Sequence, residues 1–156
     1  MRLFSNSVKD TLKIGGAIAE NAKKGDIICL SGTLGSGKTV LTKGIAAGLK
    51  VSSKDVISPS FVLLREYVSA KLPLYHFDLY RLKGPKDILD IGYEEYLFAQ
   101  GLAVIEWADR LKYLKPEEFL GINLSVKGAS KRELIFKAHG RRHKELLKKI
   151  NEDISA

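Results

Sequence analysis

Gly32-Thr33-Leu34-Gly35-Ser36-Gly37-Lys38-Thr39 matches the pattern G-x-x-x-x-G-K-[ST] at every fixed position. It stands between Asp26-Ile-Ile-Cys-Leu-Ser31, which reads as a short strand buried on both faces, and a helix from Lys38 to Leu49. Leu41, Ile45 and Ala46 share the inward side of that helix. Strand, glycine-rich turn and helix, in that order, is the setting the pattern requires. Gly32, Gly35 and Gly37 open backbone conformations closed to residues with a Cβ and let the chain approach an oxyanion closely. Successive N–H groups can then converge on phosphates, assisted by the positive end of the helix. Lys38 supplies a cation for β- and γ-phosphates, and the Thr39 hydroxyl is a ligand for Mg2+. The expected ligand is a nucleoside triphosphate with its magnesium.

Working outward from the loop, Ser7 to Lys23 reads as a first helix, with Leu12, Ala17, Ile18 and Ala22 as its buried stripe. Phe61 to Val68 and Leu74 to Leu79 are expected strands, the second entered through Pro73. Lys86 to Gln100 reads as short helical structure around Gly92, with Ile88, Leu89, Ile91, Tyr96 and Leu97 on its apolar side. Leu102 to Glu106 is another buried strand. Leu120 to Val126 and Glu133 to Ala138 alternate and form an antiparallel pair across a Gly-Ala-Ser turn. Arg141 to Ile154 closes the chain as an amphipathic helix carrying Leu146, Leu147 and Ile150. The sum is an α/β domain with a mixed, mostly parallel sheet and a late antiparallel pair.

At 156 residues the chain is expected to be one domain with a real core. Its apolar runs are strand-sized, too short to cross a bilayer, and the N-terminus lacks an apolar signal core. Cys29 is the sole cysteine, which excludes an intramolecular disulfide and a thiolate metal cluster. A cytoplasmic protein with no membrane partner is expected. The formal charge of +8 favours polyanionic partners, with much of the excess between Lys127 and Lys149. No aromatic interleaving there suggests a platform for stacking bases, so solvation of an exposed helix and strand edges is the preferred reading. Contact with RNA or an acidic protein stays open.

A P-loop alone does not name the chemistry. Glu106, ending the strand Leu102-Ala-Val-Ile105, stands where such a domain keeps a carboxylate for its magnesium. Asp78, in His76-Phe-Asp-Leu-Tyr-Arg81, could polarise an attacking water or hold the metal through water. For either acid a salt bridge or a cap is the structural alternative. Ser60, in Ser58-Pro-Ser-Phe61, is a candidate γ-phosphate sensor or part of a plain turn. Arg65 and Arg81 could reach phosphate oxygens or form surface ion pairs, and Trp107 is a packing residue or a lid over the nucleotide. His76, His139 and His143 lack metal-ligand spacing and read as structural or solvated. No Asn/Thr-Lys-x-Asp guanine-reading segment occurs, which favours adenine.

Leu34-Gly-Ser-Gly-Lys-Thr39, Ser58-Pro-Ser-Phe61 with Glu66-Tyr67, Tyr75-His-Phe-Asp-Leu-Tyr-Arg-Leu82 and Ile105-Glu-Trp107 together resemble the TsaE (YjeE) family. These are small bacterial P-loop ATPases needed to make threonylcarbamoyladenosine in tRNA. The resemblance runs from about Ser7 to Gly140 and implies a three-layer P-loop NTPase fold. It implies that Gly35, Ser36, Gly37, Lys38, Thr39 and Val40 cradle the phosphates of ATP or ADP, and that Thr39 and Glu106 ligate Mg2+. It implies further that Asp78 and Lys38 assist hydrolysis, that Trp107 lies beside the nucleotide, and that Ser7 and Lys131 contact the nucleoside. The implied partners are the TsaD and TsaB proteins, whose repeated turnover on tRNA the ATP cycle permits. The chain departs from the family at Thr33, where an acid is common, and at Ser60, where Thr is more usual. A small-molecule kinase and a nucleotide-dependent binding module are the competing classes.

Overall fold

The first residues already pair: Arg2–Ser5 (β1) runs antiparallel beside Arg132–His139 (β7), with Leu3 opposite Leu134. The computed structural model describes residues 1–52, 54–56, 63–68 and 71–156. Ser58-Pro59-Ser60-Phe61 lies outside the described residues. The remaining strands are β2 (Ile27–Gly32), β3 (Leu64–Tyr67), β4 (Leu74–Asp78), β5 (Leu102–Glu106) and β6 (Phe119–Val126). Among the described residues they form one sheet in the order β1-β7-β6-β2-β5-β4-β3. Its centre, β6-β2-β5-β4, is parallel, and antiparallel strands complete both sides. The late antiparallel pair is β6 with β7, as the alternation of both segments indicates.

Helices cover the sheet on both faces, which gives three layers. On one face α1 (Val8–Asn21), α2 (Lys38–Gly48) and α5 (Arg141–Ser155) pack Ile18, Leu41, Ile45, Leu146 and Ile150 against Ile28, Leu30, Val104 and Ile122. On the other, α3 (Pro85–Asp90), α4 (Tyr93–Leu97) and a 3-10 helix (Ala108–Leu114) bring Ile88, Leu97 and Leu111 onto Cys29, Phe77 and Ile105. The Cys29 thiol is pushed up to about 12 by burial, so it serves as a small apolar side chain.

The stripe of α1 differs from the expected one. Ile18 and Ala22 are buried, but Ile14, Gly15 and Ala19 join them in place of Leu12 and Ala17. Backbone contact explains the rotation. A Cβ on Gly15 would stand 2.6 Å from the Leu41 carbonyl oxygen, and one on Gly44 would stand 2.5 Å from that of Leu12. The two helices therefore touch along glycines, and the buried face of α1 sets Gly15 and Ala19 beside Ile14 and Ile18. Leu89 likewise faces solvent, because α3 and α4 turn at Gly92 and bury Ile88, Tyr93 and Leu97.

Ser7 is the N-cap of α1: its hydroxyl accepts from the Asp10 N–H at 3.1 Å, and the Asp10 carboxylate accepts from the Asn6 N–H at 3.0 Å. At the other end of the chain, Arg142 forks onto the buried Asp26 carboxylate at 2.9 and 2.6 Å. Beside it His143 Nε2 accepts the Ile27 N–H at 3.1 Å, tying α5 to the start of β2.

Gly44→Ala is expected to force α1 and α2 apart and to destabilise the fold by about 1–3 kcal/mol, measured by denaturant unfolding. Burial holds the His143 imidazole below its ordinary 6.5, against the pull of Asp26. Its contribution is therefore complete above about pH 6.5 and declines below it, where the unfolded chain takes up the proton first. The stability gap between the wild-type chain and His143→Gln should narrow between about pH 7 and pH 5.

Candidate functional site

β2 ends at Gly32 and α2 begins at Lys38, so the glycine-rich stretch is the whole connection. Gly32, Gly35 and Gly37 have φ of 140°, 77° and 105°. At Gly32 a Cβ would lie 2.3 Å from the Leu124 carbonyl oxygen, which leaves room for glycine alone. Gly37 is the N-cap of α2, and among the described residues no side chain caps that helix and no acid stands in its first turn. Its first N–H groups are thus left for an external acceptor, with the helix dipole favouring an anion.

Lys38 is drawn back over this loop. Its Nζ donates to the carbonyl oxygens of Gly32 at 2.7 Å and Thr33 at 2.8 Å, and reaches the buried Ser36 hydroxyl at 3.3 Å. It also lies 4.0 Å from the centroid of the Trp107 ring. Burial pushes the Lys38 ammonium below its ordinary value, and Glu106, Asp78 and Asp109 pull it back up. The cation is thus held among carboxylates and carbonyls at the rim of a cleft.

Two acids sit level at the ends of neighbouring strands, since Asp78 pairs with Glu106 in the β4–β5 register. The Thr39 hydroxyl donates to Glu106 Oε1 at 2.8 Å, and His76 Nε2 lies 2.8 Å from Glu106 Oε2. The Tyr80 N–H donates to Asp78 Oδ1 at 3.0 Å and so fixes the direction of that carboxylate. Lys38, Thr39, Asp78, Arg81, Glu106 and Trp107 all line one cleft of about 370 Å³. A hydroxyl and a carboxylate oxygen side by side suit a hard divalent cation that takes its other ligands from phosphate and water. Among the described residues no group of three His, Cys, Asp or Glu side chains forms a protein-only metal cage.

A second cleft of about 230 Å³ shares Gly35, Gly37 and Val40 with the first and adds Ser7, Ser130 and Arg132. Ser7 thus reaches the loop, although its hydroxyl also caps α1. Lys131 does not line either cleft; its ammonium lies 4.8 Å from the Phe4 ring. Arg65 on β3 lies outside both linings. The sequence reading set His76 aside as structural or solvated, and the structure puts it against Glu106. Its place two residues before Asp78 on a strand was the available signal, because alternate residues share a face. Tyr80, tilted against Trp107 at 4.8 Å between centroids, was missed for lack of any such pattern.

His139 stacks on Phe119 at 4.3 Å and His143 serves the backbone, so both are structural. Several late basic residues are likewise engaged within the fold: Arg142 on Asp26, Lys127 on Glu133 and Lys149 on Glu145. No helix among the described residues is long and apolar enough to cross a membrane.

A glycine loop between a central parallel strand and its helix, with acids at the neighbouring strand ends, defines a protein of the P-loop NTPase fold. The family model described as "Threonylcarbamoyl adenosine biosynthesis protein TsaE" matches residues 5–134. The chain is 38% identical over 143 residues to the tRNA threonylcarbamoyladenosine biosynthesis protein TsaE of Bacillus subtilis, covering 92% of this chain and 89% of that one. It is 38% identical over 134 residues to the protein of the same name from Treponema pallidum, covering 86% and 98%. The crystal structure of Bacillus subtilis YdiB superposes with a TM-score of 0.85 at 33% identity, over 98% of this chain and 95% of that one. The chain belongs to the TsaE family.

Trp107 is the sole tryptophan, so its emission reports on one ring, which Lys38 contacts together with Tyr80 and Arg110. Lys38→Ala should shift that emission in the absence of any nucleotide; identical spectra would show that the ammonium does not dwell over the ring.

Proposed function

We propose that the chain binds ATP with Mg2+ in the cleft between α2 and the ends of β4 and β5, hydrolyses it, and thereby serves threonylcarbamoyladenosine biosynthesis in tRNA alongside TsaD and TsaB. One observation carries the chemistry: an uncapped helix N-terminus, the Lys38 cation, the Thr39–Glu106 oxygen pair and Asp78 share one cleft. Membership of the TsaE family supports the pathway and the partners.

The same proposal assigns each residue a role. Backbone N–H groups from Gly35 through Val40 receive the phosphates, as the open φ values of Gly35 and Gly37 allow. Lys38 leaves the Gly32 and Thr33 carbonyls, 2.7 and 2.8 Å away, for β- and γ-phosphate oxygens, which carry full charge. Thr39 and Glu106 would hold Mg2+, which would supply positive charge to offset that of the phosphates. Asp78, oriented by the Tyr80 N–H, positions a water and accepts its proton at the carboxylate. Trp107 closes over the nucleotide once Lys38 moves, Ser7 contacts the nucleoside from the second cleft, and Lys131, which lines neither cleft, leaves Phe4 to make the nucleoside contact that the family resemblance implies. ADP occupies the same groups after hydrolysis. Any contact with tRNA passes through the partners or the late basic segment, and the latter would weaken steeply with salt. A cytoplasmic location is part of the same proposal.

Phosphate release should be slow for the chain alone and rise when TsaD and TsaB are added together. Asp78→Asn should lower hydrolysis about a hundredfold with ATP affinity little changed, whereas Lys38→Ala should abolish ATP binding in calorimetry. Hydrolysis that survives Asp78→Asn would remove that residue from the chemistry, and turnover indifferent to the partner pair would remove the partnership.

A further inference from the structure

Beneath the Glu106 carboxylate lies a polar side chain that neither phosphate binding nor hydrolysis touches. His76 sits in the middle of β4, paired with Val104, and is wholly buried. It points to the same face as Asp78 and Glu106 but one step further into the apolar layer, where Leu74, Leu102 and Val104 are also buried. Both Glu106 oxygens are thereby engaged, Oε1 by the Thr39 hydroxyl and Oε2 by His76 Nε2, each at 2.8 Å.

The direction of the inner bond follows from the donor inventory. An ionised carboxylate only accepts, so Nε2 carries the hydrogen. Nδ1 is buried and meets no partner among the described residues. A bare lone pair there costs less than an unpaired N–H would. An apolar residue at this place would fill the layer as well, but it would leave Glu106 Oε2 buried without a donor.

The terminal torsion of a glutamate is broad, so a carboxylate held at one oxygen can swing. Held at both, it presents Oε1 at a fixed point beside Thr39. Mg2+ demands near-ideal octahedral placement of its ligands, whereas Ca2+ tolerates irregular ones. We propose that His76 is a positioning residue: by donating from Nε2 to Glu106 Oε2 it locks the carboxylate against Thr39 and so sets the affinity and selectivity of the site for Mg2+. The proposal rests on the reading of Thr39 and Glu106 as the cation's ligands.

The test measures ATP binding to the full chain by calorimetry, in EDTA and across titrations of Mg2+ and of Ca2+. It compares the wild type with His76→Leu, His76→Gln and His76→Asn. Glutamine carries an amide N–H close to the position of Nε2, and asparagine falls short of the carboxylate. ATP affinity in EDTA should agree within about twofold in every variant, because the P-loop is untouched. The Mg2+ concentration that half-saturates the effect should rise about tenfold or more in His76→Leu, and less so for Ca2+. His76→Gln should return it to within about threefold of the wild type, and His76→Asn should not. The Gln–Asn comparison decides the matter if the Leu variant does not fold. Equal Mg2+ dependence in Gln and Asn, or a folded Leu variant that matches the wild type, would overturn the proposal. A wild-type chain that binds ATP without regard to Mg2+ would overturn the cation reading and the proposal with it. One that does not bind ATP at all would overturn the nucleotide reading as well.

Discussion

Three parallel strands share a register that places Leu30 of β2, Glu106 of β5 and Asp78 of β4 in one row across the sheet. The row lies at the carboxyl ends of the strands, where an open α/β sheet gathers its ligands. The P-loop starts two residues beyond Leu30, so Thr39 on the first turn of α2 comes down beside Glu106. A slip of one residue in the β4–β5 pairing would turn Asp78 to the face opposite Glu106, where Phe77 and Ile105 are buried. What holds the register is the burial of Ile28, Val104 and Leu74 on one side and of Cys29, Ile105 and Phe77 on the other. The apolar layers thus fix the geometry of the polar ones.

Charge is balanced tightly within that geometry. Lys38 is almost wholly buried, yet its cation is met by three loop oxygens and by the fields of Glu106, Asp78 and Asp109. Thr33 stands where the resemblance leads one to expect an acid; its backbone carbonyl accepts from Lys38, and its side chain adds no charge. The loop itself therefore carries one cation and no carboxylate. An arriving polyphosphate meets the acids only along the strand ends, where a divalent cation can intervene.

The parts of the fold that were legible in the sequence are those fixed by burial and by turn chemistry. The P-loop, β2, β5, the β6–β7 pair and the inward face of α2 follow from apolar runs bounded by glycine or charge. β1 escaped notice because its pairing depends on β7, more than 120 residues away by number, and its inward Ser5 is satisfied by Thr11 and not by apolar contact. The 3-10 helix Ala108–Leu114 follows a positive φ of 58° at Trp107, a turn that sequence patterns assign to glycine. The α1 stripe was right at Ile18 and Ala22 and wrong at Leu12 and Ala17, because Gly15 packs on the α2 backbone, a contact that hydrophobicity does not record. In the site, Lys38, Thr39, Glu106 and Asp78 were readable from motif and strand position. His76 shares the strand face of Asp78, a signal the sequence held, but its partner Glu106 is known only once the β4–β5 register is.

The late antiparallel pair, far in sequence from the loop, is part of the same apparatus. The Leu124 carbonyl of β6 closes on Gly32 so tightly that no Cβ fits between them, and the Leu124 side chain lies 3.8 Å from where a Gly37 Cβ would stand. From β7, the Arg132 guanidinium reaches the Gly35 carbonyl oxygen at 3.4 Å. The same Arg132 lines the second cleft beside Ser7, the cap of α1. The loop is therefore gripped from two sides: strands β4 and β5 set the acids facing its phosphate side, and β6, β7 and α1 form the wall of its other side. Any ligand filling both clefts must press on both walls at once. The β1–β7 pairing at one edge of the sheet thus shapes the wall of a cleft that the central strands alone could not enclose.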